Sequence, residues 1–185
     1  IWYDPDVQRL NEDGRGDHLG EFSGEDKVLA IFSDGTFYTT NYETVNKYQG
    51  DLIRIEKLDT GKTWTVLYWD GSAKAFYVKR FSFIESDNSP MLFISDAKGS
   101  KLVDISSDLH PQILVTFGGK YAHREPEVID AEEYIAKKGI TAKGKKCHAY
   151  DLKAGEFGEP LHKPEDESSE TPDAVAILLK RISRQ

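Results

Sequence analysis

Two β-hairpin patterns, each centred on an Asp-Gly pair, constrain the fold of this chain more than any other feature. Residues 27–41 place Asp34-Gly35 between two runs of apolar, aromatic and β-branched residues. Asp-Gly supplies the positive φ values of a type I′ turn, so we expect a tight hairpin there. Residues 63–68 and 75–84 repeat the arrangement around Asp70-Gly71. Repeated hairpins without an enzyme signature indicate a β module that presents loops to a large partner.

The other predicted strands are short and lie at the spacing of an all-β domain. Residues 52–58 alternate apolar and charged side chains, as a half-buried strand does. Further strands are expected at residues 91–95, 101–105, 112–117, 127–135 and 140–149. Residues 131–136 also fit one helical turn, although a strand is the better prediction, and residues 1–20 are interpreted as a loop with an extended segment at 18–22. The predicted fold is an all-β barrel, sandwich or propeller.

A single cysteine and the lack of long apolar runs limit the class of protein. Cys147 has no partner for a disulfide within the chain, which argues against a secreted disulfide-framework domain. No apolar run approaches 18 residues, so no membrane span is predicted. The length of 185 residues suits one domain. Because the chain begins at Ile1 without a signal peptide, we expect a fragment of a longer cytoplasmic protein.

Lysines are concentrated late in the chain, although the formal net charge is −8. Residues 137–146 contain no acid and five lysines, namely Lys137, Lys138, Lys143, Lys145 and Lys146. Glycine permits close approach to a phosphate and lysine neutralises its charge, so lysines beside Gly139 and Gly144 suit a DNA backbone. The alternative is an edge strand whose lysines face solvent and deter aggregation.

Four further cations lie in strands or loops where they are candidates for the same contact. Lys79 and Arg80 are neighbours in a predicted strand, so one points outward while the stem of the other covers apolar surface. Lys120 and Arg124 follow Gly118-Gly119 in a loop that also contains a histidine. These residues join the lysines of 137–146 as candidate DNA-binding residues.

No combination of residues predicts catalysis, nucleotide binding or a metal site. Gly14-Arg15-Gly16 lacks the third glycine and the flanking strand and helix of a dinucleotide fingerprint. The aspartates of residues 4–17 miss the spacing of an EF-hand loop and are typical of turns. Cys147 and His148 are adjacent in a predicted strand and point to opposite faces, and the five histidines show no metal-ligand spacing. We predict no catalytic residue, no metal and no cofactor.

The composition changes near residue 153. The residues beyond it contain Pro160, Pro164 and Pro172 and the acidic run Glu165-Asp166-Glu167. Such a segment lacks the apolar residues of a core. We therefore divide the chain into a β domain at residues 1–150 and an acidic tail at 151–185, with a short strand or helix at 173–182 that docks on the domain.

The order and spacing of several short motifs resemble one family. The chain is similar to the C-terminal region of the DNA-cleaving subunit of bacterial DNA topoisomerase IV, a relative of the corresponding gyrase subunit, in the form typical of Bacteroidetes. The matching residues are 1–6, 10–16, 19–22, 37–41, 52–57, 78–81, 114–119, 124–126, 129–136 and 138–145.

The resemblance implies a β-pinwheel, a propeller-like disc that binds and bends duplex DNA. It would assist strand passage, decatenation and relaxation by the parent enzyme. Its implied partners are duplex DNA, the remainder of the DNA-cleaving subunit, and the ATP-hydrolysing subunit. The length suits a partial disc of about three blades built from antiparallel hairpins. Gyrase relatives carry an arginine-rich wrapping box, whose nearest counterpart here is Asp13-Gly14-Arg15-Gly16. Arg15 therefore joins the candidate DNA-binding residues, and a single arginine predicts weak wrapping.

In such enzymes the catalytic tyrosine and the metal-binding acids lie elsewhere, so this fragment is expected not to be an enzyme. It would use no cofactor, whereas the parent uses ATP and Mg²⁺ through other domains. No small-molecule substrate and no membrane contact are expected, and the location implied is the bacterial cytoplasm, at the nucleoid. The alternative, favoured by the net charge of −8 and the acidic tail, is a protein-interaction β-propeller without direct DNA contact.

Overall fold

Four antiparallel sheets form the body of the protein. The computed structural model describes residues 1–162. Its strands are β1 (Trp2–Asp4), β2 (Arg9–Asn11), β3 (Asp17–His18), β4 (Val28–Phe32), β5 (Thr36–Thr40), β6 (Leu52–Lys57), β7 (Trp64–Asp70), β8 (Ala75–Phe81), β9 (Met91–Leu92), β10 (Lys101–Ser106), β11 (Gln112–Phe117), β12 (Glu127–Asp130), β13 (Lys145–Lys146) and β14 (Leu152–Phe157). A 3-10 helix spans Gly119–Tyr121 and one α-helical turn, α1, spans Ala131–Tyr134. The all-β class predicted from the sequence is confirmed.

The sheets follow one another along the chain. Their strand orders are β2-β1-β3 in the first, β6-β4-β5-β9 in the second, β10-β7-β8-β13 in the third and β12-β11-β14 in the fourth. Four sheets thus form where the length suggested about three blades. The additional sheet is the first one, which occupies the opening residues that the sequence predicted as loop.

Consecutive sheets pack against each other because their central strands are apolar on both faces. Val28 and Phe32 of β4 belong to the core shared with the first sheet. Leu29 and Ile31, which alternate with them, belong to the core shared with the third sheet. Alternation in a strand sends successive side chains to opposite faces, so one strand contributes to two cores. Each such buried side chain contributes about 1.5–3 kcal/mol.

Strand β7 repeats this arrangement one sheet further on. Trp64 and Val66 pack toward the second sheet, whereas Leu67 packs toward the fourth. The third sheet therefore lies between the second and the fourth, and its outer edge strand, β13, carries the lysine-rich sequence.

The first three sheets are interlocked, because each is completed by a segment that comes after the hairpin of the next sheet. Strand β9 follows the β7–β8 hairpin but pairs with β5 of the second sheet. Strand β13 follows the β11–β12 hairpin but pairs with β8 of the third sheet. In the first sheet, Lys47 follows the β4–β5 hairpin and forms a bridge to Arg9 of β2.

The first predicted hairpin is confirmed, but its predicted turn type is wrong. Residues 33–35 form a three-residue loop between β4 and β5, and of these only Gly35 has a positive φ, of 84°. The Gly35 N–H donates to the Phe32 carbonyl at 3.1 Å, and Asp34 Oδ1 accepts from the Thr36 N–H at 3.0 Å. A type I turn followed by a left-handed glycine produces this loop, whereas type I′ requires two positive φ values.

Three other segments differ from the sequence prediction. The opening residues are not a loop, since Tyr3 of β1 and Leu10 of β2 are buried in a core. Their strands have two or three residues each, too few to show the alternation of apolar and polar side chains that marks a strand in a sequence. Residues 131–134 form a helical turn instead of a strand, because the Asp130 side chain caps it by accepting from the Glu132 N–H at 3.2 Å. In residues 140–149 only Lys145–Lys146 is a strand, since Gly144 has a φ of 91° that interrupts extension.

The last strand lies beyond the boundary predicted at residue 150. Strand β14 pairs with β11 from Ile113↔Phe157 to Phe117↔Leu152, so the fourth sheet extends to residue 157. The short element predicted at 173–182 lies outside the described residues. Among the residues that are described, no helix has both the length and the apolar character needed to cross a membrane.

Tyr48 makes the stability of the chain sensitive to alkaline pH. Its side chain is fully buried, its hydroxyl lies 2.6 Å from Thr40 Oγ1, and burial raises its pKa from 10 to about 12. Between these values the folded chain keeps a proton that the unfolded chain has lost. The free energy of unfolding should therefore fall by about 1.4 kcal/mol per pH unit in this window.

Urea unfolding at pH 9, 10 and 11 measures this fall. Tyr48→Phe should show a smaller fall, because it removes this ionisation and leaves the other tyrosines. An equal fall in the wild type and the variant would show that Tyr48 ionises as freely in the folded chain as in the unfolded one.

Candidate nucleic-acid interface

The lysine-rich segment lies along the outer edge of the third sheet; we call residues 137–146 the lysine edge. Backbone hydrogen bonds fix it to β8: the Lys138 N–H donates to the Arg80 carbonyl and the Cys147 N–H to the Phe76 carbonyl, both at 2.9 Å. Between these bonds, Lys145 pairs with Val78 and Lys146 with Tyr77. These bonds hold both ends of the lysine edge against β8.

A close backbone approach at Gly144 positions the two lysines of β13. A Cβ atom on this glycine would lie 2.3 Å from the Val78 carbonyl oxygen and 2.9 Å from Lys79 Cβ, and its φ is 91°. Only glycine adopts such a conformation without strain. The Tyr68 hydroxyl donates to the Lys143 carbonyl at 2.5 Å and holds the preceding residue.

Four of the five lysines keep their charge available for a ligand. Within residues 1–162, Lys137, Lys138, Lys145 and Lys146 are exposed and form no ion pair with an acid. Lys145 Nζ lies 3.8 Å from the centre of the Tyr134 ring, which restricts its position without neutralising it.

Lys143 differs because a buried carboxylate balances its charge. Its Nζ lies 3.5 Å from Asp70 Oδ2, an atom that makes no hydrogen bond within the described residues. The Ala73 N–H and the Ser72 hydroxyl and N–H bond the other oxygen of Asp70 and lower the pKa of Asp70 to about 2. Removing Lys143 would leave a buried charge without compensation, so its main effect is on the fold.

Arg80 is half-buried and lines a cleft of about 400 Å³ beside the lysine edge. Lys138, Lys143 and Lys145 line the same cleft. Arg80 Nε donates to Thr65 Oγ1 at 3.2 Å, and burial lowers the pKa of Arg80, an effect that Glu132 and Asp130 oppose. The structure thus places Arg80 with the lysines.

Lys79 lies inside the protein, with 4% of its surface exposed. Its Nζ donates to the carbonyls of Phe93 at 2.9 Å and Ile140 at 2.6 Å. Burial lowers the pKa of Lys79 to about 8, whereas the two carbonyl acceptors favour the ammonium form. Lys79 joins the segment after β9 to the lysine edge and is not placed to contact a phosphate.

Arg15 lies in the loop between β2 and β3 of the first sheet, and the second sheet separates it from the lysine edge. The Asn11 side chain organises its loop by accepting from the N–H groups of Asp13 and Arg15. The Arg15 guanidinium pairs with Asp13 at 3.1 Å, and both side chains are exposed. The structure does not bring Arg15 together with the lysines of the third sheet.

Lys120 and Arg124 lie in the connection between β11 and β12 of the fourth sheet, beside a cluster of aromatic rings. The Arg124 guanidinium lies 4.5 Å from the Tyr150 ring and pairs with Glu127 at 3.2 Å. Hydrogen bonds from His148 and Arg124 lower the pKa of Glu127. Lys120 lies over Tyr121, which stacks on Tyr150 with ring centres 4.3 Å apart. Arg124 thus supports the cluster, while Lys120 is exposed.

The sequence reasoning missed three exposed lysines at the hairpin end of the third sheet. Lys101 pairs with Trp69, and Lys74 lies in the β7–β8 turn. The Lys98 backbone approaches the same turn closely, since a Cβ on Gly71 would lie 2.0 Å from the Lys98 carbonyl oxygen. Lys98 and Lys101 are close in sequence, and the pairing of β10 with β7 brings Lys74 beside them. No local pattern would have identified them.

The described residues contain no group of histidine, cysteine and acidic side chains that could hold a metal ion. Cys147 is buried, and burial raises its pKa to about 12, far from the thiolate form that reacts or binds metal.

Comparison with known proteins identifies the family. No curated protein matches the chain. Residues 9–155 match the family model described as the topoisomerase C-terminal domain of Bacteroidota, and this range includes the lysine edge and every strand except β1 and the last two residues of β14. The chain therefore belongs to the topoisomerase C-terminal domain family of Bacteroidota.

Proposed function

We propose that this chain is the DNA-binding C-terminal module of the DNA-cleaving subunit of topoisomerase IV, which binds and bends duplex DNA to assist strand passage, decatenation and relaxation. The observation that supports it best is the lysine edge, in which four lysines without acidic partners lie in one segment at the outer edge of the third sheet of a topoisomerase family domain. Lysines contact phosphates without reading bases, so binding should tolerate any sequence.

The proposal gives the chain a binding role. Cleavage and rejoining of DNA, with ATP and Mg²⁺, belong to the rest of the DNA-cleaving subunit and to the ATP-hydrolysing subunit, which are its proposed protein partners in the bacterial cytoplasm. The proposed contacts are Arg80, Lys137, Lys138, Lys145 and Lys146, with Lys120 as a contact from the fourth sheet. Lys79 is left out because it is buried, and Lys143, Arg124 and Arg15 are left out because they form ion pairs with acids.

The test replaces Lys137, Lys138, Lys145 and Lys146 together with glutamine. Duplex affinity at low salt should fall roughly 10- to 100-fold, and the slope of log K against log salt should become shallower by roughly 3 to 4. Fluorescence anisotropy with a labelled duplex at several salt concentrations measures both quantities. Unchanged affinity would overturn the proposed interface.

The control removes four charges from the first two sheets by changing Arg9, Lys27, Lys47 and Arg54 to glutamine. None of these residues forms an ion pair within residues 1–162, and the net charge changes equally. At about 0.15 M salt, where the Debye length is about 8 Å, these distant charges are screened and duplex affinity should change by at most about twofold. Equal losses in the two variants would mean that net charge, and not the lysine edge, controls binding.

A protein-interaction module is the second candidate, and the charge of the opening residues favours it. Residues 1–26 hold eight acidic and two basic residues, and they form the sheet furthest along the chain from the lysine edge. Such a surface repels DNA and suits a cationic protein. Absence of duplex binding by the wild type even at low salt would favour this candidate.

A further inference from the structure

We propose that the cleft between the hairpin end of the third sheet and the start of β14 binds an unpaired base of single-stranded DNA on the ring of Trp69, with the adjoining phosphates on Lys74 and Lys146. The cleft has a volume of about 220 Å³. The inference goes beyond the proposed duplex binding, because a base that is paired and stacked in a duplex has no free face for a protein ring. Of the lysine edge, only Lys146 lines this cleft.

Two segments form the walls of the cleft. One is the β7–β8 hairpin, in which Trp69 pairs with Phe76 across the two strands. The other is the chain from Lys146 to Leu152, which leaves β13 and enters β14. The Cys147 N–H donates to the Phe76 carbonyl at 2.9 Å, and β14 pairs with β11 from Leu152 onward. Both ends of the second wall are therefore fixed to a sheet.

Trp69 supplies a ring that the fold covers only in part. It is half-buried, and its ring meets that of Phe76 in a T-shaped contact with ring centres 4.9 Å apart. Such a contact occupies at most one face of the indole. Within residues 1–162, Trp69 contacts no second aromatic ring and its indole N–H has no acceptor. The ring and its N–H are therefore available to a base, and proteins hold unpaired bases by stacking them on aromatic side chains.

Three exposed lysines lie near this ring. Lys74 and Lys146 line the cleft from the hairpin turn and from β13. Lys101 pairs with Trp69 from the neighbouring strand β10, and directly paired residues project from the same face of a sheet. None of the three forms an ion pair within the part of the chain that the structure describes. Their charges suit the phosphates on either side of a base held at Trp69.

Asp151 is the one acid among the described residues that line the cleft. Two lysines against one aspartate leave the lining with a net charge of +1. The Asp151 carboxylate is exposed and forms no ion pair within residues 1–162. A carboxylate accepts a hydrogen bond from the amino group of cytosine, whereas thymine has no amino group. The cleft should therefore prefer cytosine to thymine.

The backbone of Lys74 indicates a role other than stabilising the fold. Its φ is 51°, a left-handed conformation that asparagine and glycine adopt more readily than lysine. The Lys74 N–H donates to the Asp70 carbonyl at 2.8 Å, so the turn holds this conformation. Its side chain forms no hydrogen bond or ion pair within residues 1–162. Backbone strain of this kind collects at ligand sites, and here it places a lysine at the cleft.

Fluorescence anisotropy of the complete chain with labelled ten-nucleotide strands tests the inference. An oligo-dC strand offers bases and phosphates, whereas an abasic strand of equal length offers phosphates alone. The wild type should bind oligo-dC roughly 10-fold more tightly than the abasic strand, because stacking of a base on an aromatic ring contributes about that factor. Trp69→Ala should lose this preference and still bind the abasic strand as the wild type does, which also shows that the variant is folded. Trp69→Phe keeps a ring and should retain most of the preference.

Two further variants separate the ring from the charge and from the fold. Lys74→Asn should weaken binding of both strands about threefold, because it removes a phosphate contact. Its urea midpoint should not fall, because asparagine tolerates the φ of 51°. As a matched control, Trp2→Ala removes a half-buried tryptophan of the first sheet and should leave both affinities unchanged. Oligo-dT should bind the wild type more weakly than oligo-dC, and equal binding would overturn the role of Asp151.

Three results would overturn the inference as a whole. Equal affinity of the wild type for the oligo-dC and abasic strands means that only phosphates are bound. A preference for oligo-dC that survives in Trp69→Ala means that another site holds the base. Deoxycytidine monophosphate should bind at least about tenfold more weakly than the strand, because it lacks the neighbouring phosphates, and equal affinity would make a free nucleotide the ligand. The comparison contains no duplex, so its result does not depend on whether the lysine edge binds one.

Discussion

Lys79→Ala should lower the free energy of unfolding by about 3 kcal/mol, with a matching shift in the urea midpoint. The substitution leaves the buried carbonyl oxygens of Phe93 and Ile140 without their donor, and it empties the space filled by the aliphatic stem. Both effects destabilise the junction at which the second and third sheets are closed, because Phe93 follows β9 and Ile140 precedes β13.

Two variants separate the stability lost with the hydrogen bonds from the stability lost with the packed aliphatic stem. Lys79→Met keeps the stem and loses only the hydrogen bonds, so its loss should be about 1–2 kcal/mol. Lys137→Ala removes an exposed lysine nearby and should change stability by less than about 0.5 kcal/mol. At temperatures where it is folded, Lys79→Ala should bind duplex DNA as the wild type does. Full stability combined with weak DNA binding would contradict the buried position of Lys79.

Gly144→Ala should cost at least about 2 kcal/mol of stability and weaken DNA binding roughly threefold to tenfold. The added Cβ meets the Val78 carbonyl oxygen at 2.3 Å in a backbone conformation that alanine rarely adopts. Because Val78 pairs with Lys145, relief of this contact moves β13 away from β8 and displaces Lys145 and Lys146. Urea unfolding and anisotropy with a labelled duplex measure the two effects.

Gly139→Ala is the matched control at the other glycine of the lysine edge. No atom lies within 4 Å of its added Cβ, and Gly139 does not have a positive φ. Its stability and DNA affinity should equal those of the wild type. If both glycine variants behave alike, the close approach at Gly144 does not position β13.

The strands with strong local signals could be predicted together with their partners. The short closing segments fall within the strands predicted at residues 91–95 and 140–149, but their length and their partners could not be predicted. The β4–β5 and β7–β8 hairpins join clear apolar runs across a turn of few residues, so their pairing is encoded locally. Strands β9 and β13 have two residues each and pair with strands more than 50 residues earlier in the chain. Alternation has no meaning over two residues, and the partner is set by the packing of whole sheets.

The candidate site was predictable as a segment but not residue by residue. Five lysines without acids mark the edge in the sequence, yet only the turn that buries Asp70 reveals that Lys143 is neutralised. The alternation of side chains in a strand correctly predicts that Lys79 and Arg80 point to opposite faces, but it does not decide which of them faces inward. That choice depends on the carbonyls of Phe93 and Ile140, which come from two distant segments.

The interlocked sheets have a consequence for synthesis on the ribosome. The second sheet gains its last strand only when Met91–Leu92 emerges, after the hairpin of the third sheet, and the third sheet waits in the same way for Lys145–Lys146. Each nascent sheet therefore keeps an open edge while about one further sheet is translated, a period in which pairing with a neighbouring nascent chain competes with correct closure. Slower elongation would prolong that exposure.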